Sequence, residues 1–256
     1  MYGAIIGDLA GSIYEYDQTK KIKSININKI IDEKSFYSDD TILTIAVADA
    51  IINDRNYDKY LRYYVQLYST YKTDCEPYFE TPFSPGMIKW AKSDRMGTSI
   101  GNGAMMRISP VGFMFDNVED VIENSKLATI PSHNSEQAIL AATKIALIIF
   151  YLRKGYSLQE IYKNLDIKLK YIPFDHFNST CDDTIDNCLY VLYNSNNFED
   201  AIKKAVALGG DTDTNACIVG SMAEALYGID KELINQANDK LPKEFVKKLT
   251  ALKKIF

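Results

Sequence analysis

Apolar residues return at intervals of three and four along most of this chain, the spacing of one face of an α-helix. The clearest early case is Ile42–Ile52, where Leu43, Ala46, Val47, Ala50 and Ile51 share a stripe. The same rhythm predicts helices over Tyr57–Tyr71, Val118–Ala128, Ser135–Lys154, Ser157–Asn164, Asp183–Tyr193, Asp200–Leu208, Asn215–Tyr227 and Pro242–Ile255. The seven prolines all fall near these helix ends or in loops, where a fixed φ and a missing N–H are tolerated. Alternation at period two is limited to Lys23–Ile31, a weak candidate for a short extended segment. Thr73–Met96 is the least regular stretch and reads as a long loop with a short helix around Trp90. These patterns predict an all-α fold in one domain spanning residues 1–256.

Composition and charge act mainly by exclusion. A chain of 256 residues, 46% of them hydrophobic, is long enough for one large core. The net charge is −5 with no basic block, so nothing marks a nucleic-acid footprint. Met1–Gly11 is apolar but lacks a basic start and is interrupted by Asp8, so it does not read as a signal peptide. No apolar run approaches the roughly 20 residues that span a bilayer. The four cysteines show no CxxC spacing and read as reduced thiols of a cytoplasmic protein. With only His133 and His176 in the chain, a histidine-rich zinc site is excluded.

Five polar clusters stand out against the helical background. Gly209-Gly210-Asp211-Thr212-Asp213-Thr214 joins two predicted helices, with glycines that permit a sharp reversal and then alternating carboxylates and hydroxyls. Ser38-Asp39-Asp40-Thr41 opens the helix at Ile42. An N-cap explains one or two residues in each cluster but not paired carboxylates flanked by hydroxyls. In Gly7–Glu15, Gly7 and Gly11 share a helical face, as nearly do Asp8 and Glu15; capping by Asp8 and a solvated Glu15 is the plain alternative. Ser99-Ile100-Gly101-Asn102-Gly103 precedes Met105-Met106-Arg107 and offers backbone N–H groups suited to phosphate, although taken alone it is a turn. Ser132-His133-Asn134-Ser135 precedes another helix; His133 is a cap, a surface residue or a contact to phosphate or ribose. Asp182-Asp183-Thr184 looks similar in letters and is read as capping only.

If Glu15, Asp39, Asp40, Asp211 and Asp213 converge, their mutual repulsion is large. Two carboxylates ~4 Å apart repel by roughly 4 kcal/mol at an effective dielectric of ~20. Protonation relieves this, and divalent metal relieves it better. All the donors are hard oxygens, which favours magnesium, with manganese or calcium as substitutes.

Gly7-Asp8…Gly11, Ser38-Asp39-Asp40-Thr41, Gly101-Asn102-Gly103…Met106-Arg107 and Gly210-Asp211-Thr212-Asp213-Thr214, in this order, resemble the ADP-ribosylglycohydrolase family, of the dinitrogenase-reductase-activating and ADP-ribosyl-acceptor type. The resemblance runs from Gly3 to about Gly228. It implies an orthogonal multi-helix bundle with a binuclear magnesium centre, and manganese as a possible substitute. Carried over position by position, it implies Ser38, Asp39, Asp40, Asp211, Asp213 and Thr214 as metal ligands. Ser38 stands where the family usually has threonine, which keeps the oxygen. The resemblance places Glu15 near the metals as a proton-handling or water-positioning acid, with Asp40 in reserve and Asp213 as a further catalytic carboxylate. It places Ser99, Gly101, Asn102, Gly103 and His133 against ADP-ribose. Ile100 departs from members with an aromatic there.

The activity implied is hydrolysis of the bond between the anomeric carbon of the distal ribose and an acceptor, releasing ADP-ribose from a modified protein or other acceptor. Two alternatives stand beside it. One is a metal-dependent hydrolase of nucleotide or ADP-ribose phosphoanhydrides, which would yield AMP. The other is a non-catalytic family member that binds ADP-ribose.

Overall fold

The computed structural model describes residues 1–18, 25–71 and 81–252. Within them lie fourteen helices: α1 Tyr2–Gln18, α2 Asp39–Ile52, α3 Tyr57–Tyr68, α4 Pro85–Ala91, α5 Gly103–Met106, α6 Ser109–Met114, α7 Val118–Thr129, α8 Glu136–Arg153, α9 Leu158–Asn164, α10 Cys181–Tyr193, α11 Phe198–Ala207, α12 Thr212–Tyr227, α13 Lys231–Lys240 and α14 Lys243–Leu252. The fold is all-α. Among the described residues, extended pairing is limited to two isolated bridges, Thr98–His133 and Gly101–Thr180. No helix among them is long and apolar enough to cross a membrane.

The candidate extended segment at Lys23–Ile31 is corrected by the structure for its described part. Residues 25–31 form no ladder; Ile27 and Ile30 instead turn into the core from an irregular chain. Lys23, like the 73–80 part of the predicted loop and Cys75, lies outside the described residues. Trp90 sits in α4, as the pattern indicated. The stripe assigned to α2 understates its burial: every residue from Asp40 to Ala50 is buried, so α2 runs through the core rather than along it. The short α5 and α6 escape a periodicity reading. So does α13, which buries only Leu233 and Ala237 and is otherwise polar.

Most helices start on a side-chain cap. Ser38, Asn56, Ser84, Asn117, Ser135, Ser157, Thr180, Asn197 and Asp230 each accept a backbone N–H of the turn that follows. Asn102 before α5 and Asp211 before α12 make no such bond. Their side chains are committed elsewhere, to each other, as shown below.

The axis that positions the site is the contact of α1 with α12. Gly7 and Gly11 let the two backbones touch. A Cβ on Gly7 would lie 2.0 Å from the Ala216 carbonyl oxygen, and one on Gly11 2.3 Å from that of Thr212. Only a hydrogen at these positions permits the approach. Thr212 Oγ1 then donates to the Gly11 carbonyl at 2.8 Å, tying the start of α12 to the middle of α1. α8 packs behind, against α7, α6 and α12.

Candidate functional site

The α1–α12 contact carries Asp8 and Glu15 of α1 to the start of α12, where Asp213 lies. Ligand oxygens of Asp8, Asp40 and Asp213 fall within 4.8 Å of one another, and so do those of Glu15, Asp211 and Asp213. Asp213 belongs to both groups. Acids more than 170 positions apart thus become neighbours, because the first turns of α2 and α12 meet against α1.

Asp8, Asp40 and Asp211 are held from behind. Asp8 is fully buried, and its Oδ2 accepts from Ser38 N at 2.9 Å, Thr41 N at 3.0 Å and Thr41 Oγ1 at 2.5 Å. It therefore caps the start of α2 from another helix, which the plain alternative of local capping by Asp8 did not include. Ser38 Oγ accepts the Asp40 N–H and donates to Asp40 Oδ2, both at 3.2 Å. Thr214 Oγ1 reaches the same Asp40 oxygen at 3.3 Å. Asn102 Nδ2 donates to Asp211 Oδ2 at 2.7 Å. The Asp211 N–H donates to Asn178 Oδ1 at 2.8 Å, and Asn178 Nδ2 donates on to Thr184 Oγ1 and Asn215 Oδ1.

The electrostatics of the cluster are those of charge without compensation. Burial first, and then the charge of Asp213, push the Asp8 carboxyl up to about 7. Glu15, Asp39, Asp40 and Asp213 are held well above the usual carboxylate range, by burial and then by their acidic neighbours. Asp211 is raised by burial as well, with the Asn102 bond pulling it back. Among the described residues, no donor reaches Asp8 Oδ1 or Asp40 Oδ1. Buried oxygens normally find partners. A set of hard oxygen donors with orphaned lone pairs, no thiolate and no imidazole fits a divalent cation of the magnesium type.

Above the acids opens a cavity of about 760 Å³, within the range that encloses a ligand of small-molecule size. Glu15, Ser38, Asp39, Asp40, Ser99, Gly101, Asn102, Gly103, His133, Asp211, Asp213 and Thr214 all line it. Every site residue singled out from the sequence therefore borders one space. Ile100 is not part of the lining and its side chain is exposed. His133 is neither a surface residue nor the cap of α8; it is 3% exposed, and Ser135 caps that helix. The capping reading of Asp182-Asp183-Thr184 is corrected: Thr180 is the cap of α10, Asp182 and Asp183 lie in its first turn, and Thr184 Oγ1 is buried and accepts from Asn178 Nδ2.

Three features escaped sequence reasoning. Asp8 belongs with the clustered acids, and its place in the first glycine motif was the available signal. Asn178 sits in an aperiodic stretch and carried no signal. The cavity's apolar wall, Phe36, Phe83, Met87 and Trp90, falls mostly in the irregular region before Met96.

The sequence profile described as ADP-ribosylglycohydrolase matches residues 1–255. This chain belongs to the ADP-ribosylglycohydrolase family. It is similar to an ADP-ribosylarginine hydrolase, Tri1, of Serratia proteamaculans, at 22% identity over 100% of this chain and 75% of that protein. It is likewise similar to Tri1 of Pseudomonas putida, at 24% identity over 90% of this chain and 70% of that one. A solved ADP-ribosylglycohydrolase-related protein shares the fold with a TM-score of 0.73 and 19% identity, over 99% of this chain and 95% of its own. Membership assigns the chain to the hydrolases of ADP-ribosyl linkages. The acidic and glycine motifs that carried the resemblance are those around the cavity.

Proposed function

We propose that the protein is a magnesium-dependent hydrolase that releases ADP-ribose from a modified acceptor by cleaving the bond at the anomeric carbon of the distal ribose, and that residues 1–256 act as one catalytic domain. One observation carries the reading: a single cavity is lined both by the carboxylate cluster and by the Gly101-Asn102-Gly103 turn with His133, and Asn102 joins the two through Asp211. That combination suits a ligand that carries both a pyrophosphate and a reacting ribose. The names of the similar proteins point to arginine-linked ADP-ribose as the first acceptor to try.

Ser38, Asp39, Asp40, Asp211, Asp213 and Thr214 would hold two magnesium ions, or manganese in their place, with Asp8 beneath them. Bound there, the ions supply neutralising charge and Lewis acidity. The chain's own groups do the rest. Asn102 holds Asp211 in place by its 2.7 Å bond, so the C-terminal carboxylates do not rotate away. Glu15 lines the cavity with a raised affinity for a proton, which equips it to take a proton from the attacking water. The excess of carboxylate charge, Asp40 and Asp213 included, stabilises positive charge developing on the ribose ring. Ser99, Gly101, Asn102, Gly103 and His133 grip the phosphates and orient the ribose.

The test is a panel of acceptors carrying ADP-ribose on arginine, serine, a nucleic-acid base or an O-acyl group, incubated with and without magnesium. Free ADP-ribose, formed only with the metal, is expected from at least one acceptor. AMP as product would instead mean phosphoanhydride cleavage. Binding of ADP-ribose without turnover on any acceptor would mark a non-catalytic member.

A further inference from the structure

Behind His133 and the Gly101–Gly103 turn lies a buried cation. Arg107, the residue that ends α5, has no exposed surface. Its Nη2 donates to Ser132 Oγ at 2.7 Å and to the Ala128 carbonyl at 3.3 Å, and stands 3.5 Å from His133 Nδ1. Among the described residues, nothing accepts from its Nε or Nη1, and the Asp39 carboxylate favours its cationic form through charge rather than through a hydrogen bond. A guanidinium is a donor only. Ser132 Oγ receives the Arg107 proton, so its own hydroxyl hydrogen is free for His133 Nδ1, 2.7 Å away. With the Ser132 hydroxyl hydrogen turned toward it, Nδ1 is an acceptor. The other ring nitrogen, Nε2, points to the glycine turn: it lies 3.5 Å from where a Cβ of Gly101 would be and 3.4 Å from that of Gly103.

We propose that Arg107, acting with Ser132, fixes His133 as the neutral tautomer protonated on Nε2, so that the ring presents a constant N–H donor to a phosphate oxygen of the ligand at the Gly101–Gly103 turn. Arg107 is a positioning residue; it touches the ring and not the ligand. The ligand half of the statement rests on the function proposed above, whereas the tautomer half concerns the free protein alone. Burial, and then the Arg107 charge, hold the imidazolium form of His133 well below its usual range, which agrees with the geometry. Arg107 is the charged group that faces the ring; Ser132, Gly101 and Gly103 are uncharged. Burial keeps Arg107 itself less basic, at about 10, and still a cation at neutral pH. A histidine without this backing would titrate near 6.5 and change its grip on an anion with pH.

The chain has only two histidines, so imidazole ¹⁵N spectra can be assigned with a single variant, His176→Ala. The expected wild-type result is a His133 ring protonated on Nε2 and unchanged from pH 8 to pH 5.5. ADP-ribose should then move the Nε2 resonance while leaving Nδ1 as an acceptor. In Arg107→Met, or in Ser132→Ala if the first variant does not fold, the ring should titrate or show both tautomers. His133→Phe should weaken ADP-ribose binding about tenfold or more, and His133→Gln, which can donate from a similar place, should recover most of it. A wild-type ring protonated on Nδ1, or one titrating near 6.5, overturns the proposal. So does a tautomer unchanged in both the Arg107 and the Ser132 variants. If the tautomer is as stated but ADP-ribose neither binds nor moves Nε2, the donor role falls together with the functional reading, and the failure is separable from an error in the tautomer.

Discussion

The side chains of this site are defined less by what they touch than by what they lack. Asp8 and Asp40 each keep one buried oxygen without a donor, beside Asp213. The second layer is fully engaged by contrast, and Asn178 shows it best. One side chain accepts the Asp211 N–H and donates to both Thr184 and Asn215. Replacing Asn178 with alanine should weaken magnesium binding about 10- to 100-fold, the usual cost of losing such a support. Titration of the purified variant with magnesium checks this, and unchanged affinity would show that Asn178 supports only the loop. Asp39→Asn and Asp211→Asn should abolish release of ADP-ribose while circular dichroism and the melting profile stay those of a folded protein. At this scale the sequence was readable where chemistry was dense. Paired acids with hydroxyls announced themselves, and all twelve residues singled out border the cavity. Asp8 was visible in the first glycine motif but its role was not, because its partners Ser38 and Thr41 lie about thirty residues away and no spacing rule connects them.

Among the elements, α1 and α12 decide the geometry. Their backbones touch through Gly7 and Gly11, and the acids meet only because they do. Gly7→Ala weighs two effects against each other. Alanine improves helix propensity by about 1 kcal/mol. Its methyl would also sit 2.0 Å from a backbone oxygen, and overpacking of that kind costs about 1–3 kcal/mol or more. At 2.0 Å the neighbour is rigid backbone, so the upper end applies and overpacking wins. A net loss of about 2 kcal/mol should lower the melting temperature by about 4–8 °C, and a melt at or above that of the wild type would show that the contact relaxes freely. The glycines' shared face was legible, but their partner helix was not. Periodicity identifies an apolar face without saying what covers it. α13 was missed for the related reason that a two-residue stripe carries almost no signal, and α2 was underestimated because a helix buried all round has no polar side to define one.

For the whole molecule, the cluster couples folding to pH and metal. Its carboxyls bind protons more tightly folded than unfolded, the reverse of an ordinary salt-bridged acid. Their stabilising contribution is therefore complete below about pH 4, the unfolded value, and is lost as pH rises through the folded value, about 7 for Asp8. Without divalent metal, the protein should melt at a lower temperature at pH 8 than at pH 5.5. Magnesium should raise the melting temperature more at pH 8, since it replaces the protons. Thermal scans with EDTA and with magnesium at the two pH values read this directly, and equal responses would contradict it. The chain's overall charge of −5 gave no hint of this coupling, because the acids responsible are a small, buried part of the total.

The central claim is that acids remote in sequence form one divalent-metal site. Asp213 is shared by both groups of oxygens, which makes it the residue to change. Calorimetric titration of metal-free wild type and of Asp213→Asn with magnesium, or with manganese as the stronger reporter, is the most direct measurement. The account predicts two ions bound by the wild type and neither bound tightly by the variant. A folded wild type that binds no divalent ion, or a variant that binds both ions undiminished, would contradict it.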